Sequence, residues 1–346
     1  MPAYPSGFNT FVPSFDASGQ MVVAFSRNPK DFALNQYVTL TPVKKSVGYF
    51  LRVTAEVAAR VLNSTNLNEF IWPDSNDAPS GEWGRESFVF APFNTTRYAF
   101  PFRIGYKAEQ QADWKILALH AAFAAQDAMT ARTLRVINAL FNSANYAANH
   151  VSTVTALAGG FWSAGTGTNP IIKKSLNLAA QQIQLDTIGK VKMKDLVLVI
   201  DPVIADAMGR SQEVHQFLAN SPFALAEVRG DAPNQNGAWG LPTKLYGVPL
   251  VVEDAVQVTS RKLAATTTRS YATGGNTAAL VARPGGLTSE AGGPSFSTCH
   301  VFAYEEMTVE QRDDPDNRRI SGRVVEDYDV QIVAPAAGYV FTHILS

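Results

Sequence analysis

The chain has 346 residues, enough for one large or two ordinary domains, so core size does not limit folding. Charged residues make up 17%, against roughly 25% in typical soluble domains, apolar residues make up 46%, and the net charge is -1. This balance excludes a strongly basic nucleic-acid binder and favours a chain that buries much of its exterior in an assembly, because interface cores are poor in charge.

Residues 1–36 scatter Tyr4, Phe8, Phe11, Phe15, Phe25 and Phe32 among Pro, Gly, Ser and Asn without a helix or strand period. Such an arm is too irregular to fold alone and too aromatic for a simple disordered tail, so it is expected to lie against something. Tyr37 to about Thr54 reads as extended, through Tyr37-Val38-Thr39-Leu40 and Val47-Gly48-Tyr49-Phe50-Leu51. A second extended block, rich in Phe, Tyr and Val, runs from Ser87 to Tyr106, and the turn residues from Trp72 to Gly84 lie between the two. Together they predict a long hairpin over 37–106. A two-stranded hairpin is marginal in water, so it needs either a surface to rest on or later strands of the same chain.

Glu109 to Phe141 holds no Gly or Pro and predicts one helix about 50 Å long. Ile116, Leu119, Phe123, Leu134, Ile137 and Phe141 form one apolar stripe at helical spacing. The opposite side carries Trp114, Ala118, Ala121, Ala125, Ala128, Met129 and Val136. A strut apolar on two sides needs cover on two sides, either inside one large domain or between its own sheet and a neighbouring subunit.

Ala147 to Pro170 is rich in Ala, Gly, Thr and Ser, and a helical segment is predicted from about Ser175 to Ile188. The apolar run Leu196–Ile200 predicts a strand ending at Asp201-Pro202, followed by short helices over Val203–Met208 and Gln212–Leu218. Gly247–Val252 predicts another strand, which makes this a compact α+β unit. Residues 259–298 are rich in Thr, Ser and Gly around one strand, Thr277–Ala282. Strands near Cys299–Glu305, Ile320–Val333 and Gly338–Ile344 could supply the sheet that the strut needs.

No enzyme constellation emerges, so no catalytic, cofactor-binding or metal-ligating residues are expected. The five histidines, His120, His150, His215, His300 and His343, show no i, i+4 spacing for zinc. Gly159-Gly160 and Gly165-Thr166-Gly167 lack the phosphate-loop order and read as a flexible loop. Cys299 permits no disulfide within the chain and reads as a buried thiol, with His300 beside it as a strand residue. The acidic pairs Glu305-Glu306, Asp313-Asp314 and Glu326-Asp327 lie near Arg312, Arg318, Arg319 and Arg323 and read as surface charge balance. Lys190, Lys192 and Lys194 form a basic turn that could face a polyanion. Met1 to Asn9 shows no signal-peptide pattern, and the longest apolar runs fall far short of the ~20 residues of a spanning helix, so an intracellularly made protein without a membrane partner is expected.

Several runs carry a family resemblance. They are Pro42-Val43-Lys44-Lys45-Ser46-Val47-Gly48-Tyr49-Phe50 at the base of the hairpin, Ala78-Pro79-Ser80-Gly81 near its tip, and Arg323-Val324-Val325-Glu326-Asp327-Tyr328-Asp329 followed by Ala337-Gly338-Tyr339. With the order arm, hairpin, strut, compact domain and returning strands, nearly the whole chain resembles the major capsid proteins of tailed bacteriophages, with their HK97-like α+β fold. The resemblance implies an N-terminal arm (1–36), an extended hairpin loop (37–106), a spine helix with the first part of a peripheral domain (107–170), an axial domain (171–298) and further peripheral strands (299–346).

It also implies a non-enzymatic shell protein that self-assembles through pentamers and hexamers into an icosahedral head around double-stranded DNA. Tyr49, Phe50, Trp72, Trp83, Phe88, Phe90, Phe93 and Trp114 would then make intersubunit contacts, and Lys190, Lys192 and Lys194 would face non-specifically contacted DNA. The implied setting is the virion, assembled in the host cytoplasm, with a separate scaffolding protein or prior processing, a portal and a decoration protein as partners. Lys44 and Lys45 lie at the base of the hairpin, and no cross-linking partner for them is identified. An encapsulin-type nanocompartment shell of the same fold is the near alternative. A hydrolase or ligand-binding enzyme using the Gly159–Gly167 loop is the alternative from another class.

Overall fold

The computed structural model describes residues 33–51, 90–111, 116–230, 239–260, 266–285 and 296–346. A short helical turn, α1 (Leu34–Tyr37), leads into β1 (Val38–Pro42) and β2 (Val47–Leu51), and the chain is next described at β3 (Phe90–Asn94) and β4 (Thr96–Gly105). Helix α2 (Tyr106–Gln111) precedes α3 (Ile116–Leu140), whose 25 residues span about 37 Å. The predicted strut is present over these described residues.

The compact unit opens with β5 (Val151–Thr153) and α4 (Val154–Ala158), the latter closed by Gly159 at φ 86°. Next come α5 (Ile171–Asp186), β6 (Leu196–Ile200), α6 (Pro202–Gly209), α7 (Gln212–Ala219) and α8 (Pro222–Arg229). Asp201 caps α6 by accepting from the Ile204 amide, and Ser211 caps α7 by accepting from that of Val214. Strands β7 (Lys244–Leu245), β8 (Val248–Val252), β9 (Val256–Val258), β10 (Arg269–Tyr271) and β11 (Thr277–Ala282) follow. Three further strands, β12 (Cys299–Asp314), β13 (Arg319–Ile332) and β14 (Gly338–Thr342), complete the α+β fold.

Two sheets organise these elements. One has six strands in the order β5-β14-β11-β6-β8-β7, and the other has four in the order β1-β12-β13-β4. The expected hairpin over 37–106 is therefore corrected at both ends. β1 lies parallel to β12 and β4 lies antiparallel to β13, so among the described residues only β2 and β3 form the hairpin ribbon. The ribbon leaves the sheet after Ser46, whose carbonyl accepts from the Thr95 amide at 2.8 Å. The last strand also departs from its expected place: β14 pairs with β11 inside the sheet of the compact unit rather than with β12 and β13.

The core explains the apolar run at β6. Leu196, Leu198 and Ile200 pack with Trp162, Ile172 and Leu176, while Val197 and Val199 point the other way among Val136, Leu140, Val301 and Tyr328. A strand covered on both faces reads as continuously apolar rather than alternating. The buried Tyr37 hydroxyl donates to Glu253 Oε2 at 2.7 Å and ties the start of the four-stranded sheet to the compact unit.

In its middle the strut turns its alanine side onto the sheet. Ala121, Ala124, Ala125 and Ala128 lie on Phe102, Ile104, Val309 and Val324 of the four-stranded sheet. Small side chains let the helix approach while the sheet supplies the bulk. The same economy operates at Gly322, where an added side chain would collide with the Phe102 ring. Of the predicted bulky stripe, Ile137 is buried and Phe141 packs against the core near the C-terminal end of α3, but Leu119 and Phe123 remain exposed.

Candidate intersubunit surface

The β2–β3 ribbon is two-faced because residues paired across an antiparallel ladder share a side. Gly48, Phe50, Ala91 and Phe93 belong to one face, and Val47, Tyr49, Phe90 and Pro92 to the other. The first face packs on the chain's own sheet, with the Phe93 and Phe50 rings 4.9 and 5.2 Å from that of Phe302. Gly48 permits this, since a Cβ there would lie 2.6 Å from the Phe93 ring. The Asn94 amide, donating to Asp329 Oδ2 at 3.0 Å, fixes the ribbon's base.

On the second face Val47, Tyr49 and Phe90 are 58, 73 and 61% exposed. Burying each would be worth about 1.5–3 kcal/mol before ordering costs. The expected contact residues therefore divide. Tyr49 and Phe90 lie on the open face, whereas Phe50 and Phe93 turn onto Phe302, and Phe93 is only 7% exposed within its own chain. Trp72, Trp83, Phe88 and Trp114 lie outside the described residues. Val47 shares this face through i, i+2 alternation with Tyr49, and Leu119 and Phe123 of α3 are exposed as well, a feature that the stripe pattern alone does not give.

Lys190, Lys192 and Lys194 are all exposed on the turn between α5 and β6, and Asp195 holds that turn by accepting from the Lys192 amide. Among the described residues no group of three or more His, Cys, Asp or Glu is arranged to hold a metal. No helix among them is long and apolar enough to cross a membrane.

Several residues whose side chains could carry chemistry are buried or paired within the fold. Strand alternation puts Cys299 and His300 on opposite faces of β12; burial pushes the Cys299 thiol up to about 12 and lowers His300 to about 4. His150 is buried between the Gly338 carbonyl at 2.7 Å and Asp186 at 2.6 Å. Asp314 pairs with Arg319, and Glu310 pairs with Arg323. Glu326 and Asp327 depart from the expected surface charge balance, because both are buried, Glu326 beneath α3.

The glycine-rich loop packs tightly on Glu213, and a side chain at Gly165 would strike the carboxylate. Glu213 accepts from the Ile172 and Lys173 amides, each at 2.9 Å, and from the Tyr246 hydroxyl at 2.9 Å. The N-terminus of α5, the kind of position that binds phosphate in other folds, is already capped by the chain's own carboxylate. Glu213→Ala should leave three donors without their acceptor, at a cost of about 1–3 kcal/mol for each buried one. A lowered thermal midpoint checks this, with Glu213→Gln expected to lose less.

No protein-family model matches the sequence, and no curated protein sequence is significantly similar to it. Among solved structures, the chain is similar to a phage-related protein from Bordetella bronchiseptica RB50. The identity is 15%, the match covers 94% of this chain and 95% of that one, and the TM-score is 0.63. It also matches the mature capsid of bacteriophage PhiM1 at 12% identity, with 90 and 86% of the chains covered and a TM-score of 0.48. The holo-SrpI encapsulin complex of Synechococcus elongatus PCC 7942 matches at 11% identity, with 99 and 96% covered and a TM-score of 0.49. At these lower scores the last two do not bear on the fold. The fold is that of the Bordetella protein over nearly the full length of both chains.

Proposed function

We propose that this chain is a structural shell protein of the tailed-phage major capsid type, with no enzymatic role. Copies would pack as pentamers and hexamers into a closed icosahedral head around double-stranded DNA. The observation that carries the reading is the two-faced ribbon on this fold: one side is seated on its own sheet, while Val47 and Tyr49 are more than half exposed on the other. The full-length likeness to a phage-related protein supports the same reading.

In this reading each ribbon lies across an adjacent subunit, and the patch at Leu119 and Phe123 contributes to the wall. The compact unit stands toward the capsomer axis. DNA is contacted without being read, consistent with a net charge of -1, and Lys190, Lys192 and Lys194 are the residues assigned to that contact. The site of action is the virion, after assembly in the host cytoplasm with a scaffolding protein, a portal and a decoration protein.

Electron microscopy of the purified protein tests this directly. Closed particles or capsomers of capsid size are expected. A homogeneous small oligomer that never forms particles would overturn the shell reading. Particles isolated from their native source with packaged protein and no DNA would overturn the phage assignment in favour of a nanocompartment.

A further inference from the structure

Glu326 lies on β13 facing α3 and is 1% exposed, and neither of its carboxylate oxygens has a hydrogen-bond partner. Its nearest cation is the Arg132 guanidinium, with Nε 3.9 Å from Oε2. That separation is about 1 Å longer than a charge-assisted hydrogen bond. Arg132 Nε is itself buried and unbonded. The second arginine on this side of α3 is engaged elsewhere: Arg135 donates to the Tyr328 hydroxyl at 2.7 Å and stacks 3.6 Å from the centre of the Tyr98 ring.

Every packed element contributes to this environment. α3 brings Arg132 and Arg135, β13 brings Tyr328, and β4 brings Tyr98, the residue paired opposite Glu326. On β12 the register shifts between Glu305 and Thr308, which leaves the exposed Glu306 in the irregular stretch opposite. A buried carboxylate with two oxygens unbonded and a cation just out of reach is poorly arranged for the charged form. The neutral acid tolerates this packing. Ionisation calls for Arg132 to close in.

We propose that Glu326 is a proton-operated joint between the long helix and its sheet, with the present packing favoured by the neutral acid and a tightened Arg132–Glu326 contact favoured by the carboxylate. The inference concerns the folded subunit and stands whether or not the chain builds a shell. Burial raises the Glu326 carboxyl to about 7 from an ordinary 4.5, against the opposing charges of Arg132 and Arg135 and the nearby Tyr328 hydroxyl. The folded state then binds this proton more tightly than the unfolded chain does. The stabilising contribution is full below about pH 4.5 and is lost as pH rises to about 7.

The test is a carboxyl-carbon NMR titration of selectively labelled wild-type subunit, paired with amide exchange over residues 126–138 at pH 6 and pH 8, corrected for intrinsic rates. Glu326 should titrate with a midpoint shifted up to near 7, and protection around Arg132 should change across the same interval. Glu326→Gln, which cannot ionise, should abolish the change in protection. A Glu326 midpoint below pH 5, or the same protection change in Glu326→Gln, would overturn the proposal. If the variant does not fold, the wild-type titration still decides.

Discussion

Ala125→Pro should leave almost no correctly folded subunit. Ala125 sits in mid-α3, buried with Ala121, Ala124 and Ala128 against Phe102, Ile104, Val309 and Val324. Proline removes the amide that closes onto residue 121, and its ring strikes that carbonyl, at a cost of about 3 kcal/mol or more. The added ring atoms must also fit where a methyl group meets the sheet, and overpacking of this kind costs about 1–3 kcal/mol. Together these consume much of the 5–15 kcal/mol that holds a typical domain. Ala125→Leu separates the two effects, since it keeps the amide and adds only bulk. Soluble yield and thermal midpoint should fall in the order wild type, Leu, Pro. A proline variant that melts with the wild type would show that α3 is not a continuous packed strut.

The success of the sequence reading followed the range of the interactions. The run at Leu196–Ile200 and the short helix expected over Val203–Met208 carry their structure locally, as does the Gly- and Pro-free stretch from Glu109 to Phe141 over its described part Ile116–Leu140; the short helix begins one residue earlier than expected, at Pro202. Helix α8 had a local signal too, with Pro222 in its first turn and Gly230 at φ 88° after its end, but its eight residues show little apolar period. Long-range pairing left no such mark. Nothing in Val38–Pro42 says that its neighbour is Cys299–Ala303, or in Thr96–Gly105 that it borders β13, so both strands read as parts of one long hairpin.

Which face of an amphipathic element turns inward was likewise undecidable from composition. On α3 the alanines win because Phe102 and its neighbours bring bulk from the sheet. Along β2, alternation separates Tyr49 from Phe50, but only the position of Phe302 decides that Phe50 is the inward one. The burial of Glu326 has the same origin. The pair Glu326-Asp327, with arginines nearby in the sequence, reads as surface charge, yet both are buried, and it is the seating of α3 over β13 that takes the Glu326 carboxylate out of water.

Aspartate at Val47, Tyr49 and Phe90 together should separate folding from assembly. All three side chains are exposed, so their replacement removes little packing within the subunit, and surface changes of this kind usually cost within about 0.5 kcal/mol each. In an assembled contact the same face would lose gross apolar burial on the order of 5 kcal/mol and would have to dehydrate three carboxylates as well. A weakened contact recurs at every subunit of a closed shell, so particle formation should disappear rather than decline. Phe93→Ala is the opposing control. It unstacks the ribbon from Phe302 inside the subunit and should cost about 3–5 kcal/mol of stability. The triple variant should therefore melt close to wild type yet sediment as free subunits or capsomers, while Phe93→Ala should melt early. Wild-type particles from the triple variant would show that the open face of the ribbon is not an intersubunit surface, and would leave its exposed aromatic residues without a function.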